Sequence, residues 1–312
     1  MPKIEAPDFY GIMKRIICFE VDEKYARRPV KDILKNKYKM SSALVTSLKK
    51  TEYGIMVNGE KKFTNYMLEK GDILKVVIEE GASENIEPSY AKIDVLYEDE
   101  DILAVNKPYN MPTHTSAGHH FGTLSNAVLY YLNQNGEKHT FHAVTRLDKN
   151  TSGVVLIAKN RYAHDLLSNL LRRGVLQKIY SAIVLGELSG SGLIEGKIRR
   201  EDESIIKRVV ADDGQEALTE YFAVSSNKSY SYVRLIPKTG RTHQIRVHMS
   251  YIGHPLAGDV LYGGNDVAKR HLLHCESLIF IHPMTNKKIE IKAPMPEDFL
   301  EFSKQQDLRL LQ

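Results

Sequence analysis

The sequence of 312 residues predicts an α+β fold in two domains separated by a short polar linker. Between residues 90 and 305, eight runs rich in β-branched and aromatic residues are interspersed with four amphipathic segments, so strands and helices do not alternate regularly. Residues 14–80 carry a separate pattern of two helices and a hairpin. The segment 81–89, GASENIEPS, combines Gly, Pro and polar residues and is typical of a domain boundary.

The N-terminal domain, residues 14–80, is predicted to be a small α/β unit. Pro29 suits the first position of a helix that continues to Tyr38, because that position leaves its amide hydrogen unpaired in any case. Ser41 or Ser42 can cap a second helix by accepting a hydrogen bond from its first turn. The predicted strands are Ile16–Val21, Gly54–Val57 leading into the tight turn Asn58-Gly59, and Ile73–Ile78.

The segment 90–305 is predicted to form one mixed domain. Its first helix is the clearest, because Thr123 can cap the start and Gly136 follows the end. Residues 186–216 and 262–275 are predicted to be irregular. The expected helices are Leu124–Asn135, Arg161–Arg173, His243–Ile252 and Glu297–Gln305. The expected strands are Ile93–Tyr97, Ile102–Asn106, Val154–Ala158, Tyr180–Leu185, Leu218–Val224, Tyr232–Ile236, Leu278–Ile281 and Lys288–Ile291.

Composition excludes several classes of protein. Hydrophobic content of 42% and charged content of 26% are typical of a globular protein. Two cysteines, Cys18 and Cys275, exclude a disulfide framework. No run approaches the ~20 apolar residues that a membrane span requires, so we expect a cytoplasmic protein that does not contact membranes. Residues 1–80 hold 16 Lys and Arg against 12 Asp and Glu, which accounts for the whole net charge of +4 and suits a polyanionic partner.

The run Arg146–Gly153, RLDKNTSG, is the strongest candidate for a functional site. It places Asp148 in a polar turn directly before the buried strand predicted at Val154–Ala158. A carboxylate held beside a core strand must be paired or perturbed, and such groups concentrate at active sites. The same residue types are ordinary turn formers, so a polar loop that ends a strand is the alternative interpretation.

Five segments of the chain resemble the RluA/RluD-type RNA pseudouridine synthases. The run from Arg146 resembles their signature of His-Arg-Leu-Asp, two variable residues and Thr-Ser/Thr-Gly, although Thr145 stands where the family usually has His. The other segments follow in the family's order: KIDVLYEDEDILAVNKP at 92–108, KIYSAIVLG at 178–186, and TGRTHQIRVH at 239–248 with GHPLAGDVLYG at 253–263. The resemblance implies a central mixed, mostly antiparallel sheet with a deep cleft.

The resemblance also implies the reaction and its catalytic residues. Pseudouridine synthases isomerise uridine in RNA, and the Asp of the motif, Asp148 here, is their essential residue. The sequence does not select between attack of Asp148 on the sugar and abstraction of a ribose proton. By the same resemblance, Arg246 forms an ion pair with Asp148, while Tyr180 stacks against the target base and assists proton removal from carbon 5. His254 and Asp259 are expected to brace the fold.

The RNA contacts are implied in the same way. Arg146 is expected to fill the space of a uridine that has been flipped out of the RNA, since a guanidinium can stack and donate hydrogen bonds. Arg241, His243 and Gln244 are expected in the cleft. Residues 14–80 resemble a small RNA-binding domain found in a ribosomal protein and in tyrosyl-tRNA synthetases. Its candidate phosphate contacts are Lys49, Lys50, Lys61 and Lys62.

No cofactor or metal is expected, because the isomerisation is redox-neutral and no Gly-x-Gly-x-x-Gly or Gly-Lys-Ser/Thr loop is present. His114, His119 and His120 lie in a stretch without further acids or cysteines, which favours a loop over a metal site. We expect a monomer that binds structured RNA, with large-subunit ribosomal RNA ahead of tRNA. The alternative hypothesis is a non-catalytic RNA-binding protein or RNA chaperone on the same fold.

Overall fold

The computed structural model describes residues 13–81, 85–116, 118–136 and 138–310 and confirms an α+β fold. In this part of the chain, a four-stranded sheet, a ten-stranded sheet and a two-stranded hairpin are accompanied by a few short helices. None of these helices is long and apolar enough to cross a membrane. The helices are Val30–Asp32 (α1), Ser42–Lys50 (α2), Leu124–Leu132 (α3), Arg161–Arg172 (α4), Gln244–Tyr251 (α5) and Glu297–Gln305 (α6).

The small sheet belongs to the N-terminal segment and is antiparallel throughout. Its strands are Lys14–Glu20 (β1), Ile55–Val57 (β2), Glu60–Lys61 (β3) and Ile73–Glu79 (β4), in the order β1-β4-β2-β3. Helix α1 follows Pro29 and continues as a π-helix over Ile33–Lys37. Ser41, rather than Ser42, caps α2 by accepting a hydrogen bond from the amide of Leu44 at 3.1 Å.

The large sheet has ten strands: Asp94–Glu98 (β5), Ile102–Lys107 (β6), His142–Ala143 (β7), Ser152–Ala158 (β8), Gln177–Leu185 (β9), Ser191–Glu195 (β10), Leu218–Ser226 (β13), Tyr230–Pro237 (β14), Leu273–Ile281 (β15) and Lys288–Lys292 (β16). Their order is β10-β13-β14-β9-β15-β8-β6-β5, with β16 added to β15 and β7 to β8. All pairs are antiparallel except β8 with β15, so the predicted mixed, mostly antiparallel sheet is confirmed.

The segment 186–216 is more regular than the sequence predicted. It contains β10 and a separate antiparallel hairpin of Ile198–Arg200 (β11) and Arg208–Val210 (β12). These strands are short and their charged and polar residues interrupt the alternation of apolar side chains, so they lack the pattern that identifies longer strands. The exposed Ile205 and Ile206 lie in the turn of this hairpin.

The two domains are in direct contact through α4 of the larger one. Tyr162 and Leu166 of α4 are buried in the apolar core of the small domain. The Tyr162 hydroxyl donates to the carbonyl of Tyr38 at 2.8 Å, and Asp165 accepts from the amide of Ser41 at 2.8 Å. Part of the proposed linker, residues 82–84, lies outside the described residues. Side-chain packing and hydrogen bonds therefore connect the two domains in addition to the linker.

Gly153 fixes the place where β8 meets β15, because a side chain cannot be accommodated there. Its φ is +113°, and a Cβ atom would lie 2.2 Å from the carbonyl oxygen of Cys275. Gly153 and Cys275 face each other in the parallel pairing of the two strands. This close approach holds the loop before β8, which carries Asp148, against the strand that begins at Leu273.

Gly153→Ala is expected to lower the free energy of unfolding by several kcal/mol, since backbone strain contributes about 1–3 kcal/mol and overpacking about 1–3 kcal/mol. Gly190→Ala is the matched control, because Gly190 also has a positive φ of +70° but nothing lies within 4 Å of its Cβ position. Urea unfolding of both variants measures the difference. Equal losses would contradict the proposed steric role of the β8–β15 contact.

Candidate active site

The loop that carries Asp148 is held by hydrogen bonds on both sides. The Thr113 hydroxyl accepts from the amide of Leu147 at 3.2 Å and donates to the carbonyl of Leu147 at 2.8 Å. The amide of Thr151 donates to the carbonyl of Asp148 at 3.1 Å and closes the turn. The Thr151 hydroxyl pairs with Nε2 of the buried His271 at 2.9 Å. These contacts fix the backbone and leave the Asp148 side chain to project from it.

Lys107 supports the same loop from inside the protein. Its fully buried ammonium donates to the carbonyls of Pro108 and Met111 at 2.8 Å and of Lys149 at 3.2 Å. Three carbonyls match the three N–H groups of a charged lysine. Burial lowers the pKa of Lys107 to about 7, against the opposing attraction of Asp148. These contacts give Lys107 a structural role, because they tie the loop after β6 to the loop that carries Asp148.

Asp148 lies in a cavity of about 310 Å³ at the surface of the large domain. This volume is near the lower end for small-ligand sites, about 300–1,000 Å³, and suits one nucleotide better than a helix of RNA. All seven site residues predicted in the large domain line it: Arg146, Asp148, Tyr180, Arg241, His243, Gln244 and Arg246. The structure therefore brings together residues that are up to 100 positions apart in the sequence.

The Asp148 carboxylate is more exposed than the sequence suggested, because its side chain is 30% accessible and not buried. Its Oδ2 atom lies 3.7 Å from Nη1 of Arg246 and 3.9 Å from Nε2 of His243. These distances permit ionic attraction but are too long for hydrogen bonds. The carboxylate is thus attracted by a cation while its oxygen atoms remain accessible from the cavity.

Asp259 is the principal partner of Arg246, which sequence analysis had not recognised. The Nε and Nη2 atoms of Arg246 each donate to an Asp259 oxygen at 2.7 Å in a buried bidentate pair. Burial alone would lower the pKa of Arg246, but the hydrogen bonds and charges of Asp259 and the charge of Asp148 outweigh it and raise the pKa. The Tyr262 ring lies 4.8 Å from the guanidinium. Asp259 belongs to the segment 253–263, where the sequence predicts only a residue that braces the fold.

Tyr180 extends from β9 into the cavity and is 7% exposed. Burial, the neighbouring Cys275 and the charge of Asp148 raise the pKa of Tyr180 well above its usual value. The phenol is therefore protonated at neutral pH. Its ring can stack and its hydroxyl can donate a hydrogen bond, whereas action as a phenolate base is disfavoured.

His243 and Gln244 are held by internal hydrogen bonds at the start of α5. The Nδ1 atom of His243 lies 2.8 Å from the Tyr262 hydroxyl, and its backbone has a positive φ of 56°. Burial lowers the pKa of His243 against the attraction of Asp148. Gln244 is buried; its Oε1 accepts from Thr239 and Arg241, and its Nε2 donates to Leu218. Gln244 thus orders the turn that presents Arg241.

Arg146 and Arg241 are exposed at the cavity. Arg241 donates to the carbonyl of Glu216 and to the side chain of Gln215, so its charge has no counter-ion among these contacts. Thr145, which stands where the family usually has His, also lines the cavity, and its buried hydroxyl accepts from the amide of Leu156 at 2.9 Å. Thr145 therefore fixes the loop to β8.

The four lysines predicted in the small domain do not line this cavity. Lys49 and Lys50 are exposed in the last turn of α2. Lys61 is exposed on β3, while Lys62 pairs with Glu60 at 2.7 Å. Within the ranges that the structure describes, no group of three His, Cys, Asp or Glu side chains is arranged to hold a metal ion.

Asp259→Asn is expected to lower the free energy of unfolding by about 3–5 kcal/mol, because it leaves the buried Arg246 without its bidentate anion. Asp298→Asn is the control, since it removes a similar pair from the buried Arg270. Arg270 also donates to the carbonyls of Asn150 and Leu273, so a smaller loss is expected there. Urea unfolding compares the two, and an equal loss would contradict the dependence of Arg246 on Asp259.

The segment that carries the seven predicted cavity residues, from Arg146 to Arg246, matches a known family. Residues 101–251 match the family described as RNA pseudouridylate synthase. The uncharacterized RNA pseudouridine synthase YjbO of Bacillus subtilis (strain 168) is 40% identical over 268 residues, which cover 85% of this chain and 95% of the relative. The ribosomal large subunit pseudouridine synthase D of Blochmanniella floridana is 38% identical over 302 residues, with 89% of each chain covered.

Solved structures share the fold. Human RNA Pseudouridylate Synthase Domain Containing 1 is 26% identical with a TM-score of 0.55, over 67% of this chain and 86% of that one. Human RNA Pseudouridylate Synthase Domain Containing 4 is 24% identical with a TM-score of 0.58, over 70% and 95% respectively, and supports the fold alone. With relatives at 38–40% identity matched over most of their length, this chain belongs to the RNA pseudouridine synthases, which isomerise uridine to pseudouridine.

Proposed function

We propose that this protein isomerises specific uridines in large-subunit ribosomal RNA, with Asp148 as its catalytic carboxylate. The observation that carries the proposal is a single accessible carboxylate in a cavity of nucleotide size, attracted by Arg246 but not hydrogen-bonded to it. The name of the relative from Blochmanniella floridana, a ribosomal large subunit enzyme, supports the class of RNA.

The isomerisation requires an anionic group close to the ribose, and Asp148 can supply it. The bond between ribose carbon 1′ and uracil nitrogen 1 breaks, the base turns, and carbon 1′ bonds to carbon 5. Nitrogen 1 gains a proton and carbon 5 loses one, so the reaction is redox-neutral. Whether Asp148 attacks the sugar or removes a ribose proton, it must act as an anion with a free lone pair. An oxygen atom that Arg246 attracts from 3.7 Å meets both conditions.

Tyr180 and Arg246 have different tasks in this proposal. Arg246 keeps positive charge beside Asp148 and is itself fixed by Asp259. Tyr180 supports the uracil with its ring and donates a hydrogen bond with its protonated hydroxyl, which stabilises charge that develops on the base. Proton removal from carbon 5 then falls to another acceptor, such as the Asp148 carboxylate after it leaves the sugar or a water molecule.

Arg146 and Arg241 are proposed to engage the RNA around the extruded uridine. Both guanidinium groups are exposed at the cavity, where a strand must enter. Arg146 projects from the loop of Asp148 and can occupy the stack that the flipped base leaves. Arg241 can contact phosphate, because its present partners are neutral.

The small N-terminal domain is proposed to add RNA affinity outside the cavity. Lys49 and Lys50 of α2 are exposed, and Lys50 lines a groove with Arg161 of α4. This groove spans both domains, so a phosphate backbone could contact them together. We further propose that the protein acts as a monomer in the cytoplasm. A tRNA substrate is the alternative target, and the competing function is RNA binding without catalysis.

Asp148→Asn is expected to abolish isomerisation while RNA binding stays within a few-fold of wild type. Pseudouridine mapping by carbodiimide-induced reverse-transcription stops is applied to ribosomal RNA and tRNA from cells with and without the gene. A discrete stop that the intact gene restores and Asp148→Asn does not would identify both activity and target. Restoration by Asp148→Asn would refute the role of Asp148, and a stop confined to tRNA would refute the ribosomal target.

Arg246→Ala is expected to slow single-turnover isomerisation at least about 100-fold, since electrostatic groups at reacting centres contribute on that order. Arg241→Ala removes an exposed guanidinium at the same cavity and is the matched control. It is expected to weaken RNA binding and to leave the rate at saturating RNA within about tenfold. A larger loss of rate in Arg241→Ala would mean that the wrong arginine has been assigned to Asp148.

A further inference from the structure

A second cavity of about 330 Å³ adjoins the one that contains Asp148. The two are contiguous, because six residues line both: Leu171, Lys178, Pro237, Thr239, Gly240 and Arg241. The second cavity is bounded by the end of α4, the start of β9 and the turn that follows β14. The neighbouring space is therefore within reach of a strand that has one nucleotide beside Asp148.

The charged residues that line the second cavity are all basic. Arg172, Lys178, Lys238 and Arg241 line it, and no Asp or Glu is among its lining residues. Lys238 is neutralised by Glu220 at 2.7 Å, and Arg241 binds only neutral oxygen atoms. Among the residues that the structure describes, no carboxylate lies at ion-pair distance from Lys178. The net charge of this space is positive.

Lys178 is the least solvated of these cations. It lies two residues before Tyr180 on β9, so the two side chains point to the same face of the sheet. A Cβ built on Gly240 would lie 3.6 Å from its Nζ atom, which puts the amine directly over the turn of residues 239–242. Burial lowers the pKa of Lys178, with only partial compensation from Cys275. A largely buried cation without an anion is costly, and a bound anion would offset that cost.

We propose that this second cavity binds a phosphodiester group of the RNA strand next to the extruded uridine, with Lys178 as the central phosphate-binding residue and Arg172 and Arg241 at its rim. The proposal rests on the proposed function, since it concerns the same bound strand. A phosphodiester is favoured over other anions because a nucleotide bound in the first cavity is covalently joined to a phosphodiester group on either side. The site would hold the strand without contacting a base, so it carries no sequence information.

The test measures binding of a fluorescein-labelled nine-residue oligouridylate to the full-length protein by anisotropy at several KCl concentrations. This probe needs no knowledge of the natural target and no flipping of a base from a helix. Lys178→Met keeps the volume of the side chain and removes its charge. We expect binding about tenfold weaker, and a slope of log Kd against log [KCl] reduced by about 0.7, the value for one single-strand phosphate contact.

Two further variants make the result specific. Lys178→Arg retains the charge and is expected to keep the wild-type salt slope. Lys288→Met removes an exposed lysine of β16, outside both cavities, and is expected to change neither quantity. Urea unfolding verifies that Lys178→Met is folded, and its stability should equal or exceed that of wild type because an unpaired buried charge is removed.

An unchanged salt slope in Lys178→Met, or an equal decrease in Lys288→Met, would overturn the phosphate site. Both results are independent of turnover. If the phosphate site is present but mapping finds no pseudouridine, the catalytic proposal alone fails. If pseudouridine is found but the slope is unchanged, the inference about Lys178 alone fails.

Discussion

The buried pair of Arg246 and Asp259 is the interaction on which the site depends. Asp259 takes both strong hydrogen bonds of the guanidinium, at 2.7 Å each, and leaves only Nη1 facing Asp148 at 3.7 Å. A direct bidentate pair between Arg246 and Asp148 would occupy the lone pairs that the reaction proposed at Asp148 needs. Asp259 therefore permits a cation to attract the carboxylate that we propose as catalytic without blocking it. The Tyr262 ring and hydroxyl, which contact Arg246 and His243, extend the same constraint to the start of α5.

The backbone on the other side of Asp148 is equally constrained. Lys107 binds three carbonyls, and Gly153 allows β8 to approach β15 so closely that no side chain fits. Lys107 and Gly153 fix the backbone of the loop from the protein interior, whereas Arg246 attracts the Asp148 side chain from across the cavity. A carboxylate held in this way can be accessible without being mobile, which is the arrangement that positioned catalysis requires.

Sequence alone predicted the fold class and the seven cavity residues of the large domain, because long strands and helices have clear periodicity and because motif resemblance located the site. It did not predict that Asp259 pairs with Arg246. That pairing depends on how the turn before Tyr262 folds back over α5, and no local pattern encodes it. The motif identified Thr145 only as a departure from the usual His, and the hydrogen bond that its hydroxyl accepts from the amide of Leu156 was not predicted.

The contact between the domains was also beyond sequence reasoning. Residues 81–89 have the composition of a flexible linker, and that composition describes the connection but not the surfaces it joins. Tyr162 and Leu166 form the contact with the small domain, but in the sequence they are ordinary apolar positions of the amphipathic α4. Because these side chains complete the core of the small domain, deleting that domain would expose apolar surface on the larger one. A deletion would then report on folding as well as on RNA affinity.

The distribution of charge around the cavity fits the proposed mechanism. That mechanism places a carboxylate close to the ribose, but the riboses within an RNA strand are flanked by phosphates, which a carboxylate repels. Arg246 offsets part of this repulsion at Asp148 itself. The adjoining cavity, with Lys178 and without lining carboxylates, would offset it where the strand continues. In this proposal the positive charges are separate, so Arg246 acts on Asp148 while other cations hold the phosphates of the strand, and binding of the strand need not neutralise the carboxylate that reacts.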